Sequence, residues 1–436
     1  MFEKRILLPH QYYYPNMNFL ADRATEERER NFIEKVNQKT GIRKGTIYIH
    51  IPFCNSKCAF CGFDKEYTLE EIEAYVQKLI KEIEYYAEWI GNKYEIQSIH
   101  FGGGTPALLP AEQLQKILDT LKRNFQLAKH AAIDMEGSAT TLYREDIIDF
   151  IKRNRLTRVS FGVQSFHEGI RKEMQMKATR EDVFHTIEVL KKNQIVMYGD
   201  ILYGYPDFNL GNMLDILKED MKIAIEQGLD GVELGQMYPF KNQLEQIVKQ
   251  RNLQLPSDRE IIEMIEMSTD MLLQAGYTQS TYSGFVKQGK IILETSYFGG
   301  IEEMPDCIAM GSGAFGSICG FKYRNASYSV YMSQNTPCYG QLKEMTKEQM
   351  ENMQIVGFPK VLVLNKALLA KESVWARFQK KFECLQKDGY IAENAHAFYL
   401  TKKGKNYIDN IYWYLLEDKE KEFLKNDITI YISEVA

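Results

Sequence analysis

From residue 46 onward the apolar positions fall into two alternating rhythms. Short β-type runs, beginning with TIYIHI at 46–51, each give way to a longer stretch with the three-to-four spacing of an amphipathic helix. In the first such stretch Ile72, Val76, Leu79, Ile80 and Ile83 share one helical face, and Thr68 with Glu71 has the spacing of a capping box at its start. The unit recurs with QSIHF before 111–125, AAIDME before 144–153, TRVSFGV before 180–192, VMYGDILY before 210–228, and a last run, DGVELGQ. About six β/α units imply a parallel sheet with right-handed crossovers, short of the eight in a closed barrel. Residues 1–45 form an N-terminal extension. Beyond about 245 the rhythm changes to helical stretches, a Gly-rich segment at 311–320 and a tail of mixed helix and short strand, which reads as a second domain or cap.

Composition adds exclusions. With 436 residues, 44% of them hydrophobic, the chain can fill two or three domains. Its 54 Lys+Arg against 59 Asp+Glu leave no sequence-wide basic field for nucleic acid. No apolar run approaches the ~18 residues of a membrane span and the first residues lack a signal-peptide core, so a cytoplasmic protein is expected. Seven cysteines are too few for a disulfide framework. Cys307, Cys319, Cys338 and Cys384 are scattered and read as buried apolar side chains. Cys54, Cys58 and Cys61 crowd together.

These three follow C-x3-C-x2-C on a loop directly after the first strand. Three such thiolates can wrap one face of a four-iron cube, whereas structural zinc wants four ligands in two separated pairs. Three packed thiols or a degenerate zinc site is the alternative. An open iron on the cube can chelate the amino and carboxylate groups of S-adenosylmethionine, and an electron passed through the cluster then cleaves the sulfonium bond to give a 5'-deoxyadenosyl radical. The other unusual residues also sit at strand ends: 102–106 (GGGTP), Glu136, Gln164 and, inside its strand, Asp200. Parallel α/β folds gather their sites at that edge, which predicts one shared site. The glycines could instead make a simple turn, Gln164 a satisfied core amide, and Asp200 a structural salt bridge.

YIHIPFCNSKCAFCGF (48–63), FGGGTP (101–106), FGVQSF (161–166), DILYGYP (200–206) and DCIAMGSGA (306–314) resemble the radical S-adenosylmethionine enzymes related to oxygen-independent coproporphyrinogen III oxidase. The resemblance implies an α/β fold: a partial (β/α)6 radical SAM barrel over 46–245, then a helical, winged-helix-like C-terminal domain over 246–436. It implies a 4Fe-4S cluster on Cys54, Cys58 and Cys61, and two S-adenosylmethionine molecules. Tyr48, Gly103 and Glu136 match residues that hold the first; bare glycines let backbone carbonyls approach an ammonium group, and Glu136 offers it a carboxylate. Phe60, Gly104, Thr105, Gln164 and Asp200 match residues around the second, where a ribose diol would satisfy the acid.

Some positions depart from the family. Its second-site arginine is Met176 here, with Lys177 beside it, and lysine lacks the bidentate fork. A further cysteine two residues past the third ligand is Phe63, which weighs against coproporphyrinogen oxidation. Tyr238 replaces a small barrel-lining residue and is expected to reshape the pocket. His50 reads as a hydrogen-bonded structural histidine, Tyr12, Tyr13 and Tyr14 as packing or surface residues, and the tail as a lid or packing module rather than a DNA binder.

By resemblance, three outcomes are open. The first is class C methyl transfer, in which a methylene radical derived from the second S-adenosylmethionine adds to an sp2 carbon of a conjugated substrate such as heme or another tetrapyrrole; a cyclopropane-forming natural-product enzyme is its variant. The second is oxidative decarboxylation of coproporphyrinogen III. The third is heme delivery as a chaperone. The expected partners are a small conjugated molecule and a flavodoxin- or ferredoxin-type electron donor, with neither nucleic acid nor membrane.

Overall fold

The computed structural model describes residues 1–8, 14–17, 22–62, 65–66, 68–289, 305–427 and 431–432. Tyr12, Tyr13 and Phe63 lie outside them. Strands β1 (Arg43–Ile51), β2 (Tyr94–Gly103), β3 (Gln126–Gly137), β4 (Arg158–Gln164), β5 (Met197–Tyr203) and β6 (Gly231–Gln236) pair in that order, all parallel. Between them run α1 (Ile72–Ile90), α2 (Ala111–Asn124), α3 (Glu145–Asn154), α4 (Arg180–Lys192) and α5 (Met213–Glu226). The six strands and five crossover helices are the expected units. β1 is buried over its whole second half, as a parallel strand covered on both faces should be. Of the predicted stripe, helix α1 buries Ile72, Val76, Leu79 and Ile83 and leaves Ile80 half-buried at its margin, and it adds Tyr75, Glu82 and Tyr86. Its start differs from expectation: a 3-10 turn, Leu69–Glu71, leads into the helix and Thr68 makes no side-chain cap. The tighter winding displaces the N–H groups that a capping box would engage.

Six further strands extend the same sheet. On the β6 side, β7 (Tyr277–Gln279) and β8 (Gly284–Lys287) form a hairpin that adds antiparallel to β6. On the other side, β9 (Asp306–Met310) runs parallel to β1, with Met310 opposite Ile49, and β10 (Phe315–Ile318), β11 (Phe321–Asn325) and β12 (Tyr339–Glu344) continue antiparallel. These strands have only three to six residues each, too few for a period-2 pattern to stand out. Because β9 is parallel to β1, the loop after Met310 lies at the same edge as the cysteines.

A second apolar core gathers Phe358, Phe382, Phe398, Ile411 and Leu415 under a three-stranded sheet of Val363–Asn365, Ile391–Glu393 and Ala397–Leu400. Helix Glu372–Lys387, the hairpin and helix Ile408–Leu415 follow the expected order of the tail. Tyr14 packs here: its N–H donates to Tyr412 Oη at 2.7 Å and its hydroxyl to Glu417 at 2.6 Å. Cys307 and Cys338 are buried as expected, but Cys319 and Cys384 are half-buried, Cys319 because it sits on the β10–β11 turn beside the Tyr94 hydroxyl. Among the described residues no helix is long and apolar enough to cross a membrane.

Candidate active site

The C-terminal ends of β1 to β5 surround a cavity of about 220 Å3. Cys54, Cys58, Cys61, Phe60, Gly103, Gly104, Thr105, Glu136, Gln164 and Asp200 all line it. Tyr48 does not; it is buried behind the wall, its ring stacked on His100 at 5.6 Å and its hydroxyl 3.1 Å from His50 Nδ1. His50 is thus hydrogen-bonded as expected.

The cysteine loop is held from both sides. Cys54 N–H donates to Glu66 O and Glu66 N–H to Pro52 O, both at 2.9 Å, while Ala59 N–H reaches Met174 O at 2.9 Å. Gly104 N–H donates to Ile51 O at 2.7 Å and Thr105 N–H to Phe53 O at 2.8 Å. This close approach explains the glycines. A Cβ on Gly104 would stand 2.5 Å from Phe53 O, and Gly103, at φ +112°, would place one 2.8 Å from Ile51 O. Cys54 Sγ lies 3.4 Å from Thr105 Oγ1 and Cys58 Sγ 3.1 Å from Ser56 Oγ. Burial pushes the Cys58 thiol up. Lys65 also lines the cavity; burial works against its charge, but the three cysteines outweigh this and hold it above the ordinary lysine range.

Glu136 ends β3. Its Oε1 is 3.1 Å from His100 Nε2 and its Oε2 accepts Gly103 N–H at 3.3 Å. His100 Nδ1 lies 3.1 Å from Asp134 Oδ2, which also meets Arg158 Nε and Nη2 at 3.0 Å each. Burial opposes charge on His100, but Asp134 and then Glu136 prevail and push it up to about 10. Asp134 is likewise held below the usual carboxylate range by His100 and Arg158 despite its burial. The sequence reading missed His100, Asp134 and Arg158. Their signal was a charged residue inside each of three consecutive strands, and the register places them side by side, His100 opposite Asp134 and Asp134 opposite Arg158.

Asp200 faces the cavity from β5 with Glu233 as its register neighbour on β6. No salt bridge or side-chain hydrogen bond joins Asp200 to another described residue. Burial pushes its carboxyl well above the ordinary value, Glu233 and Glu136 add to this, and Arg158 opposes it. Gln164 sits at a register shift in β4 with φ +63°, and its buried Oε1 has no donor. Neither residue is the satisfied core group that a purely structural role requires. Arg171, also missed, is buried and donates to Val163 O and Ser165 O at 2.8 Å and to Ala178 O at 3.1 Å, which folds the 164–178 loop so that Met176 and Lys177 reach the cavity wall. Tyr238 is not among the lining residues and packs on Phe240 at 5.2 Å, so it does not narrow this cavity.

The donor set suits the expected groups. Among the described residues no three His, Cys, Asp or Glu side chains converge on a single-ion site; thiolates on an iron–sulfur cube bind separate irons and need not converge. Among the described residues, the cations that act on the carboxylates of Asp134, Asp200 and Glu233 are His100 and Arg158, and His100 is also the cation paired with Glu136, while Lys65 and Lys177 line the same cavity beside the cysteines and Met176. A cationic ligand at Glu136 and another near Asp200 would add to these cations. The unmet Asp200 carboxylate and Gln164 oxygen are positions where hydroxyl and amino donors fit.

Residues 48–219 match the radical SAM superfamily. Anaerobilin synthase of Escherichia coli O157:H7 is 33% identical over 307 residues, which cover 69% of this chain and 67% of that protein. A heme chaperone of Lactococcus lactis is 26% identical over 351 residues, 78% of this chain and 86% of the chaperone. The solved coproporphyrinogen III oxidase of Escherichia coli, described as a radical SAM enzyme, superposes with a TM-score of 0.75 at 20% identity, covering 90% of this chain and 96% of the oxidase, which shows the same fold. The chain is therefore a radical S-adenosylmethionine enzyme and belongs to the family related to oxygen-independent coproporphyrinogen III oxidase.

Proposed function

We propose that this enzyme is a class C methyltransferase that acts on heme or a related tetrapyrrole, with a 4Fe-4S cluster on Cys54, Cys58 and Cys61 and two S-adenosylmethionine molecules. The observation that carries the reading is the pair of separate acidic positions on one cavity, Glu136 with its oxygens engaged by His100 and Gly103, and Asp200 with no hydrogen-bond donor among the described residues. Two acids with distinct surroundings suit two cationic cofactors better than one.

When bound, the cluster and the S-adenosylmethionine on its open iron supply radical chemistry driven by one electron. The chain's own residues do the rest. Glu136 and the backbone at Gly103 would accept from the amino N–H groups of the first molecule, next to the thiolates. Asp200 accepts from the ribose hydroxyls of the second, and Gln164 Oε1 from one of its donors. Phe60 and Thr105 line the same cavity, and Lys177 lines it beside Met176, which carries no guanidinium. A flavodoxin- or ferredoxin-type protein provides the electron.

The substrate rests on the 33% identity with anaerobilin synthase. A heme chaperone is the second reading, supported by the larger share of this chain, 78%, that aligns with such a protein. The deciding experiment is anaerobic: the cluster-loaded protein with dithionite and S-adenosylmethionine, with and without heme, its nucleosides and pigments resolved by mass spectrometry. S-adenosylhomocysteine and 5'-deoxyadenosine that appear together and only with heme, with a mass gain on a heme-derived product, are the expected result. Stoichiometric heme binding with no S-adenosylhomocysteine would overturn the proposal in favour of the chaperone.

A further inference from the structure

We propose that His100 is a positioning residue for S-adenosylmethionine: clamped by Asp134 and, through it, by Arg158, it fixes Glu136 in the orientation that accepts from the cofactor's amino group. The inference rests on the reading of Glu136 as that acceptor.

The side chains form a row of alternating charge across adjacent strands, Arg158 on β4, Asp134 on β3, His100 on β2 and Glu136 again on β3. Each contact is 3.0 or 3.1 Å. The imidazole has a carboxylate at each nitrogen, Glu136 hydrogen-bonded to Nε2 and Asp134 beside Nδ1 at ion-pair distance though without hydrogen-bond alignment, and two such charges favour the protonated ring and restrict its orientation. Its ring is pinned flat by Tyr48, at 5.6 Å and 22° between planes. Glu136 then has one oxygen on His100 and the other on Gly103 N–H, which fixes its carboxylate plane at the cavity wall. Gly102 completes the packing: a Cβ there would stand 2.8 Å from His100 Nε2 and 3.1 Å from Glu136 Oε1.

The charged and titratable groups around the ring are Asp134 and Glu136 from β3, Arg158 from β4, and Tyr48 and His50 from β1. With both carboxylates present, His100 keeps its proton through the neutral range. Asp134→Asn removes the larger of the two stabilising charges, and the ring then titrates within that range. A neutral ring can turn a lone pair towards Glu136 and release it.

The test is the dissociation constant for S-adenosylmethionine of the anaerobic, cluster-loaded protein, measured by titration calorimetry between pH 6 and 9, with the 15N shifts of His100 recorded alongside. Glu136→Gln and His100→Leu should each weaken binding about tenfold or more. His100→Gln, which keeps a donor towards Glu136, should recover part of the loss. In the wild type the only pH dependence is that of the cofactor's own amino group and both ring nitrogens are protonated; relative to the wild type, the affinity of Asp134→Asn falls as pH rises. Gly102→Ala, which deletes no polar group, should weaken binding as well. If Glu136→Gln binds like the wild type, the reading of Glu136 fails and this inference with it. If Glu136→Gln is weak but His100→Leu and Gly102→Ala bind normally, or Asp134→Asn follows the same pH dependence as the wild type, the role of His100 is overturned while that of Glu136 stands.

Discussion

Gly162 leaves the space that Gln164 fills: a Cβ on Gly162 would stand 2.3 Å from Gln164 Nε2 and 3.2 Å from its Cδ. Gln164 can fold back this way because it sits at φ +63° beyond a register shift, outside the regular β4 ladder. A left-handed residue that is not glycine stores strain, on the order of 1–3 kcal/mol, and such strain gathers at binding sites. Gly162→Ala should therefore displace the glutamine side chain and leave the strand in place. The expected outcome is a drop in S-adenosylmethionine stoichiometry from two towards one by equilibrium dialysis, with far-UV circular dichroism unchanged. Retention of two bound molecules would remove Gln164 from the second site.

Asp200 offers a test by stability. Its folded carboxyl is raised well above the unfolded value, by burial first and by Glu233 and Glu136 after it. A raised group contributes stability that is fully present below the unfolded value and is lost as pH rises through the folded one. Ligand-free protein should accordingly lose stability as pH rises from about 4 through the raised value of the folded carboxyl. Asp200→Asn should flatten that loss and raise the melting temperature at pH 8 by about 2 °C or more. The same variant should bind the second S-adenosylmethionine poorly. A variant less stable than wild type at pH 8 would mean that Asp200 has a structural partner.

The cluster assignment has a direct readout. Cys58 is only half-buried on its loop, so Cys58→Ala removes a thiolate with little loss of packing. Anaerobic reconstitution of this variant should leave iron content far below four per chain and little absorbance near 400 nm, with the unfolding midpoint of the ligand-free protein within about 0.5 kcal/mol of wild type. Full iron loading of Cys58→Ala would show that the cube is held elsewhere.

Much of this arrangement was legible because the chemistry sits on long elements. Each of the six apolar runs lies within its strand of β1 to β6 or starts one residue before it, and buried strands of a parallel sheet leave such apolar runs in a sequence. The cysteine spacing and the glycines are local signals, and ten of the eleven expected site residues share one cavity. What stayed hidden depends on register and on long-range pairing. His100, Asp134 and Arg158 become neighbours only once β2, β3 and β4 are aligned. Tyr48 is set behind the wall because β1 turns it towards His100. The return of β9 to the far side of β1, 255 residues or more along the chain, leaves no periodic trace in five residues.

That return is secured by a buried carboxylate, and the last prediction concerns it. Glu82 on α1 is fully buried, accepts Gly311 N–H at 2.8 Å, Tyr331 Oη–H at 2.6 Å and Asn325 Nδ2–H at 2.7 Å, and so binds the loop after β9 to the helix after the cysteines. The neighbouring Tyr75 hydroxyl donates to His50 O at 2.7 Å and accepts Ser312 N–H at 3.1 Å, which carries the tie to β1 itself. Glu82→Ala would leave three donors unmet in a place water does not reach, a loss of about 3–5 kcal/mol by analogy with a broken buried ion pair. Glu82→Gln preserves the volume but turns its amide hydrogens towards groups that are themselves donors, so a smaller loss, about 1–2 kcal/mol, is expected. Urea unfolding of the ligand-free protein would measure both. Since Glu82 does not line the cavity, the residual folded Glu82→Gln should still take up a full cluster; a variant that unfolds normally but loses iron would instead place the Gly311 loop in support of Cys54.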